Sequence, residues 1–435
     1  MERTAVSRIA RPQTTAEVQQ LLQASRQPVS IAGARYSMGG QTVEPGSLHL
    51  DMQDMARLVH LDPVGRTVRA QAGMRWRDLQ DILDPHDLSV RVMQSYSNFS
   101  VGGSTSVNCH GRYVGAGPIA NSIRALRLVT ADGKDRDLDR DKESDLFAAV
   151  IGGYGGLGVI TEVELDLAVN ERMSRRAERI ALEDYPRYFL EKIQGNSGVI
   201  MHNADLMPPR FDRPLAISWV RTNEPLTETH RLIPRGMDYS RQQNLIWSAS
   251  ELPMGDDLRD RYLTDRILHE ESVVMRNFEA SQDAASLEPR TRMFSTYLLQ
   301  EYFIPATDFL RFARRMTDIL RMHEVNALNV SVRHSPADTV SLLAWAPTEV
   351  FSFVLYYKQR STERADRASE LWTRKLIDAA LSMGGRYYLP YRLHASPSQF
   401  HAAYPEAREY AAIKRKVDPD YRFRNHLWDK YLPGV

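Results

Sequence analysis

The chain has 435 residues, 43% of them apolar and 26% charged, with a formal net charge of +1. That is the make-up of an ordinary globular protein with room for two or three domains. The near-zero charge argues against a polyelectrolyte partner, and the basic stripe of a nucleic-acid binder is missing. A lone cysteine, Cys109, excludes an internal disulfide framework and fits a reducing, cytoplasmic setting. The start, Met1-Glu2-Arg3-Thr4, lacks the build of a signal peptide. No apolar run approaches the roughly 20 residues of a membrane span, and no metal site is expected.

In chain order, Thr14 and Glu17 stand at capping-box spacing ahead of Val18, Leu21 and Leu22, which predicts a helix. Val29 and Ile31 lead as a short strand into Gly33-Ala34-Arg35-Tyr36-Ser37-Met38-Gly39-Gly40. Backbone amides in such a stretch can form a nest for anions. Both a pyrophosphate-cradling loop and an ordinary Gly-rich turn fit it; a Walker loop and a Gly-x-Gly-x-x-Gly fingerprint do not. Leu48 to Asp51 and Thr67 to Ala72 alternate as strands, and Trp76 to Leu83 reads as a short helix. The next small-residue stretch runs from Ser100 through Gly102, Gly103, Ser104, Ser106, Asn108, Cys109 and His110 to Gly111 and Arg112. It suits backbone laid against a flat or phosphorylated ligand; a surface loop is the alternative. Ile123 to Thr130 is a strand turning at Asp132-Gly133. Ser144 is expected to cap a helix ending at Gly152. A third Gly-rich stretch, Gly152 to Gly158, feeds the β-rich run beginning Val159-Ile160.

Beyond residue 170 the glycine clusters stop. Strands are expected at Leu215 to Val220, Ser295 to Phe303 and Val350 to Tyr357, and helices at Phe309 to Met322 and Glu363 to Ser382. The fold class is therefore α+β: residues 1–170, a second α+β unit with a broad antiparallel sheet at 171–395, and a returning C-terminal segment at 396–435.

Three Gly-rich stretches in this order resemble the FAD-binding domain of the vanillyl-alcohol oxidase, or PCMH-type, oxidoreductases. Within that superfamily the chain looks most like aldonolactone and alditol oxidases and decaprenylphosphoryl-ribose oxidase. The matched motifs are Gly33-Ala34-Arg35-Tyr36-Ser37, Gly102 to Gly111, Gly155 to Ile160 and the tail Asp418 to Asn425. The resemblance implies FAD held by Gly33, Ala34, Arg35, Tyr36, Ser37, Gly102, Gly103, Ser104, Ser106, Asn108, Gly111, Gly158, Val159, Ile160, Tyr388 and Asn425. It implies hydride removal from a carbon bearing a hydroxyl on a sugar-, polyol- or lactone-like alcohol, with the electron acceptor, oxygen or a carrier, left open. Tyr36 stands where many relatives carry the histidine that bonds covalently to flavin, so FAD is expected to be non-covalent. The Glu-x-Arg of the relatives reads Ser331-Val332-Arg333 here, and their lysine falls on Tyr391. His110, Arg333 and Tyr391 are the expected catalytic residues, with His110 preferred as base over His334 and His394. Missing the glutamate puts polyol recognition in question. Two other readings are a FAD-holding subunit without turnover and an enzyme acting on a lipid-linked sugar, with Leu252 to Leu263 as its apolar loop.

Overall fold

The computed structural model describes residues 4–251, 265–288 and 292–433. Leu252 to Leu263, the expected apolar loop, lies outside them. Three sheets organise the described chain. The smallest is parallel, with Leu48–Asp51 between Arg8–Ala10 and Val29–Ala32. A six-stranded antiparallel sheet follows, with Val159–Val169 pairing Thr67–Gln71 on one side and Ile123–Val129 on the other. The third is an eight-stranded antiparallel sheet between Arg172 and Tyr387. The architecture is α+β.

Local chemistry explains most of these elements. The first helix, Thr15–Ala24, is capped by the Thr14 hydroxyl, which accepts from the Glu17 amide. The Ile123–Val129 and Asp135–Asp139 hairpin turns at Gly133, whose φ of +77° a side chain would resist. Two expectations are corrected. The helix Ser144–Val150 begins one residue earlier than read: Glu143, at φ +51°, occupies the cap position and Ser144 is already helical. The second small-residue stretch is not an open loop, because Val101–Ser106 is a short helix. Its Gly102 amide donates to the Ala72 carbonyl at 2.7 Å, so the helix lies flush on the end of a strand.

The eight-stranded sheet has two unlike faces. Along Ala327–Ser335, Val330 and Val332 are fully buried, whereas Asn329, Ser331 and Arg333 point the other way. Strand alternation places one set against helices and the other against a cavity. The helix side is closed by Phe309–Met322 and Glu363–Leu381, with Phe309 and Phe312 packed on Phe353 and Trp372 on Tyr357.

The C-terminal tail folds back on the first sheet. Asp418 accepts from the Arg422 and Phe423 amides and from Lys414 Nζ at 2.7–2.9 Å. The Val29 amide then donates to the Arg422 carbonyl, and the Arg424 amide donates to the Val29 carbonyl. Asn425 caps the last helix and donates to the Tyr154 carbonyl at 2.9 Å, tying the tail to the third Gly-rich stretch.

Candidate functional site

Each of the three small-residue stretches holds one non-glycine residue in the left-handed region: Arg35 at φ +64°, Asn108 at +49° and Tyr154 at +49°. Such backbone is uncommon and clusters where a chain is bent for a purpose. Between the stretches lies a cavity of about 70 Å³, lined in part by Gly102, Ser106, Gly155, Gly158 and Ile160. It adjoins a cavity of about 640 Å³, because Gly33, Ser37, Thr42, Gly103 and Val107 line both. Together they form one trench running from the Gly-rich loops to the open face of the eight-stranded sheet. The larger volume is typical of a cofactor or substrate site.

The sheet wall of this trench is ordered by strand register. Glu301 and Ser331 both pair with Val354, from opposite sides, and Asp205 pairs with Ser331. Glu301, Val354, Ser331 and Asp205 therefore make one row across four strands, and all four line the large cavity.

His110 meets this row from the other side. Asn108 sets its backbone: its side chain donates to Asp338 Oδ2 at 2.7 Å and to Ser341 Oγ at 3.0 Å, and accepts from the Ala120 amide. Trp345 Nε1 donates to the Asn108 carbonyl, and the Trp345, Phe303 and Tyr388 rings surround the imidazole with centroids 4.8–5.9 Å away. In that apolar box His110 Nε2 lies 2.5 Å from Glu301 Oε1. Tyr391 donates its hydroxyl to Glu301 Oε2 at 3.2 Å. The Tyr391 segment is held by Gln41, whose amide donates to the Leu389 and Tyr391 carbonyls, so the first Gly-rich loop positions it.

The electrostatics separate the roles. Burial alone would raise the Glu301 pKa, but His110, Arg333 and the Tyr391 hydroxyl outweigh it and hold the carboxyl below its ordinary range. Burial and the Glu301 charge push the Tyr391 phenol well above its usual value. Tyr391 here acts as a hydrogen-bond donor to Glu301. Arg333 faces the same cavity, with its Nε buried and without a hydrogen-bond partner.

The expected residues divide into those at the trench and those behind it. Gly33, Ala34, Arg35, Tyr36, Ser37, Gly103, His110, Arg333, Tyr388 and Tyr391 line the large cavity, and Gly102, Ser106, Gly158 and Ile160 the small one. Ser104, Asn108, Gly111, Val159 and Asn425 line neither. The Ser104 hydroxyl is already spent between Trp76 Nε1 and Gln94 Oε1, both at 2.9 Å. Val159 is core, and Gly111 packs against the Met93 carbonyl and Tyr113. The other two candidate bases are elsewhere. His334 packs tilted against Phe189 and meets Glu349 at 2.8 Å. His394 contacts Thr373 and is pushed down to about 4, chiefly by burial.

Glu301 escaped the sequence reading, yet its signal is present. In Ser295–Pro305 it stands between Leu299 and Phe303 on one face, a lone carboxylate among apolar neighbours.

The residues present fit a dinucleotide. Two joined cavities, one narrow between Gly-rich backbones and one wide, are what a pyrophosphate followed by a flat ring requires. A side chain at Gly102 would lie 2.6 Å from Ala72 Cβ, so the backbone there is as close as packing allows. Among the described residues no cluster could hold a metal ion, and no helix is long and apolar enough to cross a membrane.

Comparison with known proteins agrees. Residues 6–139 match the FAD binding domain family. Decaprenylphosphoryl-β-D-ribose oxidase of Mycolicibacterium smegmatis is 25% identical over 428 residues, spanning 92% of this chain and 88% of that protein. L-gulono-1,4-lactone dehydrogenase of Mycobacterium tuberculosis is 24% identical over 436 residues, spanning 98% and 96%. Alditol oxidase of a Streptomyces species is 30% identical over 161 residues, 37% of this chain and 38% of that one. The chain thus carries an FAD binding domain and is similar, along nearly their whole length, to the first two of these proteins.

Proposed function

We propose that this protein removes a hydride from a carbon bearing a hydroxyl on a sugar-, polyol- or lactone-like alcohol, using non-covalent FAD. Residues 1–170 and 396–435 hold the cofactor, and residues 171–395 face the substrate. Bound FAD supplies the hydride acceptor, N5 of its ring. The chain supplies the proton path and the charge. The His110–Glu301 pair takes the hydroxyl proton. Tyr391 donates to Glu301 and fixes the carboxylate. Arg333 places a positive charge where negative charge develops.

The observation that carries this reading is the buried contact between His110 and Glu301, with Tyr391 and Arg333 around it. A carboxylate reaching the cavity from a strand other than that of Ser331 supports hydroxyl recognition as well. A FAD-holding subunit without turnover would have no use for that arrangement. The names of the relatives, a ribose-lipid oxidase, a lactone dehydrogenase and an alditol oxidase, support the substrate class.

Anaerobic mixing of the yellow protein with a panel of polyols, lactones and sugar alcohols tests the proposal. Bleaching of the flavin by at least one is expected; a panel that bleaches none would retire the reading. Acid precipitation should release the chromophore into the supernatant, because the Tyr36 phenol lacks the imidazole nitrogen of the covalent relatives. Flavin that remains on the denatured chain would overturn the non-covalent assignment.

A further inference from the structure

The proton-handling cluster occupies only one end of the sheet wall. At the other end stands a second carboxylate, Asp205, which that chemistry leaves unused. It shares the row of Glu301, three strands away, so the two backbones are about 14 Å apart at the usual strand spacing of about 4.8 Å. Asp205 lines the same cavity. Its neighbours are hydrogen-bonding groups: Asn203 donates to Oδ1 at 3.3 Å, and Ser331 lies directly opposite on the adjoining strand. Burial raises the Asp205 carboxyl above its ordinary range, against the opposing pull of Ser331, Arg333, Asn203 and Arg112. Two polar atoms lining this cavity, Ser95 Oγ and Arg333 Nε, are buried without a partner. Buried polar atoms are nearly always satisfied, so the pair marks room for hydrogen bonds from a ligand.

We infer that Asp205, with Ser331 and Asn203, is a substrate-anchoring site that accepts hydroxyl groups of a polyhydroxylated alcohol whose reacting end lies at His110 and Glu301. The inference rests on the proposed alcohol oxidation and narrows it. The preferred substrates carry several hydroxyls and are long enough to reach across the sheet. A site built to bond a hydroxyl discriminates strongly against analogues that lack one, because its polar groups are then left unpaired.

The test is equilibrium binding, read from the perturbed absorption of the bound flavin in oxidised holoprotein. The probes are glycerol, a hexitol and a disaccharide alditol. Wild type should bind the two longer probes more tightly than glycerol. Asp205→Asn should weaken the longer probes at least tenfold and leave glycerol within twofold. Ser331→Ala serves as a second variant should the first fail to retain flavin, with the same ordering and a smaller loss. Equal losses for all probes, no loss for any, or no perturbation of wild-type flavin by the longer probes would overturn the site. The outcome is separable from that of the parent reading. Binding lost in Asp205→Asn, with no probe ever bleaching the wild-type flavin, would leave the anchoring site standing and remove the oxidation. Bleaching that is indifferent to Asp205→Asn would do the reverse.

Discussion

Glu301→Gln is the sharpest perturbation the site offers. The residue is 3% exposed, with Oε1 at 2.5 Å from His110 Nε2 and Oε2 at 3.2 Å from the Tyr391 hydroxyl. Glutamine preserves its volume and an acceptor for Tyr391 while deleting the negative charge beside His110 Nε2. A hydrogen bond to a charged group is worth about 1.5–3 kcal/mol. At about 1.4 kcal/mol per decade, flavin reduction should slow roughly tenfold to a hundredfold. Anaerobic stopped-flow reduction at saturating substrate measures it, with flavin content and Tm as controls. The pH profile gives an independent readout. Because the Glu301 pKa is depressed, the carboxylate persists as the pH falls. Its acid limb should therefore lie below the ordinary value of about 4.3 and be absent in the variant. A variant that keeps its flavin and reduces it within threefold of wild type would refute the assignment.

Arg333→Ala should slow flavin reduction at least about tenfold, or about 1.4 kcal/mol, and an unchanged rate would remove Arg333 from the site. Gly102→Ala would press a methyl to 2.6 Å from Ala72 Cβ and 3.0 Å from the Ala72 carbonyl. Overpacking of that kind costs roughly 1–3 kcal/mol, so a lower Tm and poor flavin retention are expected, and normal flavin content would contradict the packing argument. His202, buried between the Tyr185 hydroxyl and Ser218, is pushed down to about 3 by burial and then by His334. The unfolded chain binds a proton near pH 6.5 that the folded chain refuses. Stability should therefore fall with pH below that value, by about 2 kcal/mol at pH 5 from this group. His202→Gln should flatten the decline of Tm between about pH 7 and pH 5; an unchanged slope would exclude His202 as its source.

Local order was legible along the chain because it depends on neighbours in sequence. The Thr14 cap, the Asp132-Gly133 turn, the strand Leu48–Asp51 and the helix Phe309–Met322 follow from nearest-neighbour geometry and side-chain period. So do the three small-residue stretches, since only small side chains allow backbone so close to a ligand or another chain segment. The resemblance carried by those motifs brought His110, Arg333 and Tyr391 into view. It left open what unites them. Glu301 joins His110 across 191 positions and Tyr391 across 90. Local pattern also failed to show that Ser104 is consumed by Trp76 and Gln94, or that Asn108 turns inward to Asp338. Hydrogen bonds of that kind form only after strands from distant parts of the chain adopt one register. A sequence specifies which side chains share a face of a strand. Which strand lies beside it, and so which carboxylate meets which imidazole, is decided by the packed sheet.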